Sequence, residues 1–173
     1  KLTVSGDGGN RLNFNLMGDP AIMPTYPDYK VVVDEFDGPP SDEWPFMRAG
    51  AKVTVKGHIL TPDGKPADDF TGTVHPLVYD SKETISTLNT LDKGAVTYTD
   101  HNKILFSGMD SVRNGRFELT FPVPLDINYS NEQGLLNLYA CDADKREAGG
   151  VFDRFLVGGT ADDIPTSGEG PDI

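Results

Sequence analysis

The sequence predicts an all-β protein: an immunoglobulin-like β-sandwich of about seven or eight mostly antiparallel strands, preceded by an extended segment and followed by an acidic linker. Three observations carry this expectation. Apolar and polar residues alternate with period two in one run after another. Turn formers separate the runs, Gly contributing 19 residues and Pro 13. No stretch offers the crossover helices that a parallel sheet requires.

Taken in order, the first segment, TVSGDGGNRLNFNLMGDPAIMPTYP, holds a short apolar run from Leu12 to Met17 and then a dense turn region. Gly18-Asp19-Pro20 stops any regular element there, because proline fixes its own φ and restricts the residue before it. From Tyr29, YKVVVDEF reads as a strand closed by Asp37-Gly38-Pro39-Pro40. In AKVTVKGHIL, Val53, Val55 and Ile59 share one face, and Lys52, Thr54, Lys56 and His58 the other. A turn at Pro62-Asp63-Gly64-Lys65 ends it. FTGTVHPLVYD is a further strand, expected to break or bulge near Pro76. Ser81 to Leu91 reads as strand or loop: Ile85, Leu88 and Leu91 have helical spacing, but the segment is rich in Thr and lacks a capping box. AVTYTD and HNKILFSGMDSV supply more strands. Asn114-Gly115 then predicts a tight hairpin, since both residues tolerate positive φ. In the return strand Phe117, Leu119, Phe121 and Val123 define the core face. GLLNLYACDAD and VFDRFLVGGT complete the set, and ADDIPTSGEGPDI, with four acids and no bases, reads as a linker. The expected organisation is 1–27 as the end of a preceding unit, 28–160 as the sandwich and 161–173 as the linker. The start at Lys1 fits a piece of a larger precursor, whose targeting signals would lie elsewhere.

The net charge of −12 argues against nucleic acid, whose phosphates need a basic partner surface, and against an anionic membrane leaflet. No apolar run approaches the roughly 20 residues that span a bilayer. With one cysteine, the fold cannot rest on an internal disulfide.

Candidate chemistry is thin. A cysteine nucleophile needs an imidazole within hydrogen-bond reach. Of the three histidines, His58 is expected to face solvent, His75 to sit at a kink and His101 in a loop, and nothing in the sequence places them near Cys141. Cys141 therefore reads as a packed structural thiol, and Tyr139, two residues earlier, has the spacing of a tyrosine corner. Asp142 and Asp144 make calcium conceivable as a cofactor, but Lys145 and Arg146 beside them favour a solvated turn. Asp68-Asp69 and Asp162-Asp163 are weaker versions. Gly6-Asp7-Gly8-Gly9 lacks the Lys-Ser/Thr of a phosphate loop. Trp44 reads as a loop anchored by its indole, with sugar stacking as the alternative, to which Tyr79, Tyr98 and Tyr129 could add surface. The residues themselves thus leave three readings: scaffold, binding module for carbohydrate or protein, or a hydrolase built on Cys141. They assign no catalytic or metal residue and leave the binding residues unknown.

Asn15-Leu16-Met17-Gly18-Asp19-Pro20-Ala21 resembles the segment that ends the caspase-like domain of gingipain-type cysteine peptidases. The blocks GHILTPDGKPADDFTGTVHPLVYD and KILFSGMDSVRNGRFELTFPVPLDINYS are similar to the sandwich after that domain in PorU-like sortases of the type IX secretion system. The resemblance implies a secreted or cell-surface parent, associated with the outer membrane, that cleaves C-terminal sorting signals from cargo. It implies that the catalytic His and Cys lie upstream of Leu16, and that Gly18, Asp19 and Pro20 are structural junction residues. The partners it implies are the preceding peptidase domain, the following β domains and other proteins of the secretion machinery.

Overall fold

The computed structural model describes residues 26–38, 44–88 and 94–162. The junction motif Gly18, Asp19 and Pro20 lies outside these residues, as do Gly6 to Gly9, most of the linker and the middle of the 81–95 stretch. All the regular structure described is β. The strands are β1 (Tyr29–Asp37), β2 (Phe46–Ala49), β3 (Lys52–Leu60), β4 (Gly72–Tyr79), β5 (Glu83–Ser86), β6 (Thr97–Asp100) and β7 (Ile104–Ser107). They continue with β8 (Asp110–Val112), β9 (Arg116–Pro122), β10 (Glu132–Gln133), β11 (Leu135–Asp142), β12 (Glu147–Phe152) and β13 (Leu156–Thr160).

Eight of these form the main sheet, ordered β7-β4-β11-β12-β1-β3-β9, with β8 also on β4. All its pairings are antiparallel except the short parallel contact of β1 with β12. Because β8 returns beside β9, the opposite end of the sheet, the sheet is nearly closed and barrel-like. Strands β10-β13-β2 form a small mixed sheet, and β5-β6 a two-stranded ribbon. The 81–91 stretch is therefore strand at Glu83–Ser86 and loop at 81–82 and 87–88.

Period-two alternation decides what is buried. Val53, Val55 and Ile59 of β3 and Phe117, Leu119 and Phe121 of β9 turn inward, as do Val74 and Val78 of β4 and Leu136, Leu138 and Ala140 of β11. They meet in one cluster with Phe70 and Phe155. Burying each large apolar side chain contributes about 2 kcal/mol. Phe36 stacks on Phe155 at 4.8 Å between ring centres, and Phe106 on Phe121 at the same separation.

Three sequence expectations need correction here. Pro76 does not break its strand: β4 keeps unbroken register with β11 through Leu138↔Pro76. The Pro76 carbonyl accepts from Gly108 N–H, so its missing N–H faces the opposite edge, where pairing passes from β8 at Gly72–Val74 to β7 at Leu77–Tyr79. No ladder donor is needed at that gap. The Asn114-Gly115 turn forms with both residues at positive φ, 51° and 68°, yet the hairpin it closes is a single bridge, Arg113↔Arg116. Beyond it β8 goes to β4 and β9 to β3. Gly115 is required twice over, since a Cβ there would also strike the Ala67 carbonyl oxygen. Third, a tyrosine hydroxyl that donates back to the backbone is found at Tyr129, to the Leu125 carbonyl at 2.8 Å, and not at Tyr139, whose pKa is raised by Glu147.

Candidate functional site

Four polar assemblies stand out on this framework. The first is centred on Arg146, in the turn between β11 and β12. Lys145 takes positive φ, 62°, and Asp142 caps the turn by accepting the N–H groups of Asp144 and Arg146 at 3.0 and 2.9 Å. The guanidinium then donates from Nε to Asp142 at 2.6 Å and from Nη1 to Asp69 at 2.7 Å. It also lies 5.6 Å from the ring centre of Tyr29 and 5.4 Å from that of Phe70. Asp142, expected in a solvated turn, is instead only 2% exposed. Burial pushes its carboxyl upward, but the N–H and guanidinium of Arg146 outweigh burial and hold it below the usual carboxylate range. The hydrogen bond from Arg146 likewise holds Asp69 low, and those acids together with Tyr29 raise the guanidinium's own affinity for its proton. Of the acids considered for calcium, Asp142 and Asp69 are thus occupied by an internal cation. Among the described residues no group of three His, Cys, Asp or Glu side chains could hold a metal ion.

The second assembly joins the end of β4 to the loop before β10. Asp80 is fully buried. Its carboxylate accepts the N–H of Ser81 at 2.8 Å and that of Asn128 at 2.7 Å, and its carbonyl accepts Nδ1–H of His101 at 2.6 Å. Ser81, also buried, meets the Ser130 hydroxyl at 2.8 Å. His101 is therefore structural, tying its loop to the end of β4. Sequence reasoning missed Asp80; a polar residue directly after VHPLVY was the available signal.

The third is the outer face of β4 and β11. Register places Cys141 opposite Thr73 and Tyr139 opposite His75. The Thr73 hydroxyl lies 3.3 Å from His75 Nε2 and 3.5 Å from Cys141 Sγ. The thiol and an imidazole are thus brought together, with a hydroxyl between them, which the sequence could not show. Cys141 is half-buried on an outward-facing position, not packed in the core. The His75 ring lies 6.2 Å from the Tyr139 ring.

The fourth is a charged hollow over β1, β3 and β9. A register shift between Val33 and Glu35 bulges β1 at Asp34. Asp34 accepts Nδ1–H of His58 at 2.8 Å, so His58 is half-buried and engaged, not solvent-facing as expected. Lys56 pairs with Glu35 at 3.0 Å, which raises its pKa. Arg113 and Arg116 stand at the same hollow. The expected aromatic platform is not one surface of free rings: Trp44 and Tyr79 are half-buried and the Tyr129 hydroxyl is committed, while Tyr98 is exposed on the β5–β6 ribbon.

Fold and site together define an all-β domain, two of whose polar clusters, around Arg146 and Asp80, tie loops to the sheet. No family model and no curated protein matches the sequence. Among solved structures the chain is similar to latent, dimeric PorU from Porphyromonas gingivalis, with 29% identity and a TM-score of 0.67 over 85% of this chain. That match spans 14% of the PorU chain, so the sequence corresponds to a small part of a larger protein. It also aligns with the sporulation control protein Spo0M from Bacillus subtilis, at 13% identity over 75% of this chain and 49% of that one, TM-score 0.43. A β-glucosidase from Listeria innocua aligns at 13% identity over 90% of this chain and 21% of that one, TM-score 0.35.

Proposed function

We propose that the chain is a noncatalytic immunoglobulin-like module of a PorU-like surface cysteine peptidase, bracing its neighbour domains. In this reading residues 1–27 end the peptidase domain at Gly18-Asp19-Pro20, and 161–173 lead to the next domain. The cargo-processing chemistry of the parent, its surface location and its secretion partners belong to this proposal. The observation that carries it is the match to PorU over most of this chain. The immunoglobulin-like reading is supported by the sheet's connectivity. Strands β4, β11 and β12 on one side and β1, β3 and β9 on the other are joined by two registered pairs, Tyr29↔Ala148 and Lys30↔Gly149, and at the far end by the Arg113↔Arg116 bridge that links β8 to β9. Both sides feed one cluster, as two facing layers would. The Tyr129 corner before β11 supports it further.

The test is catalytic. The purified chain is expected to turn over neither peptide nor glycoside substrates, and Cys141→Ser in the full parent protein is expected to leave peptidase activity unchanged. Turnover by the isolated chain that Cys141→Ser abolishes would overturn the proposal and make the Thr73-bridged thiol and imidazole a reacting pair.

A further inference from the structure

The turn at 113–116 carries the one Asn-Gly step in the sequence. Such a step has a chemistry of its own. The backbone nitrogen of the glycine, once it has shed its proton, attacks Cγ of the asparagine side chain, and the absence of a Cβ on the glycine leaves the approach open. A C–N bond forms, the bond from Cγ to the side-chain nitrogen breaks, and ammonia leaves. Water then opens the resulting succinimide at either carbonyl, giving aspartate or isoaspartate. The reaction needs no reagent besides water, only a backbone free to bring that nitrogen onto Cγ.

The fold denies the step that freedom. Asn114 is exposed, so water reaches it, but Gly115 is buried. The Gly115 N–H donates to the Phe70 carbonyl at 2.8 Å, and the Gly115 carbonyl accepts the N–H of Ile59 at 2.7 Å. The Ala67 backbone lies against the Gly115 Cα and leaves no room even for a Cβ. On either side, Arg113 and Arg116 exchange two backbone hydrogen bonds, at 2.9 and 3.0 Å. The attacking nitrogen would have to give up a proton committed to Phe70. It would have to become anionic where burial disfavours charge, and to swing toward Asn114 against these four hydrogen bonds. What holds the turn from the other side is slight: β8 has three residues, and its one partner strand in the sheet is β4.

We infer that Asn114 is a deamidation site that the fold holds shut: molecules in which the 113–116 turn has opened convert it to aspartate or isoaspartate, and the isoaspartate form cannot re-close the turn. The observed rate is then the intrinsic rate scaled by the open fraction. The two products differ in their consequences. Asp-Gly suits the same positive-φ turn as Asn-Gly, and its carboxylate would stand between the cations Arg113 and Arg116. Isoaspartate routes the main chain through Cβ and Cγ and so adds a backbone carbon. A turn of that length cannot remake both Arg113–Arg116 hydrogen bonds and also seat Gly115 on Ile59 and Phe70. One opening can thus leave a permanent mark at this corner. The inference goes beyond the scaffold reading and does not depend on it.

The test ages the whole chain in mildly alkaline buffer, folded and in urea. Beside it stands the capped peptide Ser-Val-Arg-Asn-Gly-Arg-Phe-Glu, with and without urea. Peptide mapping by mass spectrometry follows Asn114, and enzymatic methylation counts isoaspartate. The folded chain is expected to convert about tenfold or more slowly than the chain in urea, which should match the peptide within about twofold. Val112→Ala trims the buried residue of β8 and should lower the melting temperature and speed conversion of the folded chain about fivefold. Asn114→Asp should melt with the parent or above it. The isoaspartate chain, recovered from urea and refolded, should melt below it. Equal rates in the folded chain and in urea overturn the inference. So does an unchanged rate in a Val112→Ala chain whose melting temperature has fallen, or an isoaspartate chain that melts with the parent.

Discussion

Arg146 and the pair Arg113–Arg116 occupy similar places, each in or beside a tight turn with residues at positive φ. Their surroundings differ completely. Arg146 is met by two carboxylates, a backbone carbonyl and two aromatic faces, and its side chain is 23% exposed. Arg113 and Arg116 bridge each other through their backbones, are exposed and form no ion pair among the described residues, although Asp34 and Glu118 line the same hollow. A cation saturated from inside the chain serves the fold. A cation pair left in solvent contributes little to it. Exposure separates the two cases, and so does the count of satisfied donors.

That contrast can be broken or sharpened by substitution. The largest effect is expected for Arg146→Ala, which strands the buried Asp142 carboxylate and separates the 69–70 corner from the β11–β12 turn; a loss of about 3 kcal/mol in denaturant unfolding is expected. Gly115→Ala comes next, at about 2 kcal/mol, because it meets both a positive φ and the Ala67 carbonyl. Acid titration should show the Arg146 cluster directly. Asp69 and Asp142 are depressed in the folded state below their ordinary value of 3.8. The folded chain therefore binds fewer protons than the unfolded one in this range. Their contribution is complete above pH 3.8 and is lost as pH falls through the folded values. Thermal melts between neutral and strongly acidic pH should show that decline, and Arg146→Ala should make it shallower. The smallest effect is expected for Arg113→Ala, within about 0.5 kcal/mol of the parent chain or slightly stabilising, since it removes a repulsion.

How much of this was legible in the sequence follows from the range of the interactions. The core face of β9 was readable because alternation is local: Phe117, Leu119 and Phe121 are all buried. The Asn114-Gly115 turn was readable for the same reason, but where its arms pair was not, since β8 and β9 choose different partners. Pro76 misled because its consequence depends on which edge its nitrogen faces, a property of the sheet. Strand β2 was not anticipated; four residues, two of them buried, give too short a pattern. The Arg146 cluster joins residues 69, 142 and 146, and only the last two are close in sequence. Likewise Thr73, His75 and Cys141 meet only through the β4–β11 register. Asp34 reaches His58 only because of a bulge, which alternation cannot foresee.

The division of labour between saturated and open arginines is tested most directly by paired thermal melts at neutral pH, comparing Arg146→Ala with the double variant Arg113→Ala/Arg116→Ala. The expected result is a fall on the order of 10 °C for the first and no fall for the second. A melting temperature unchanged by Arg146→Ala, or lowered as far by the double variant, would contradict it.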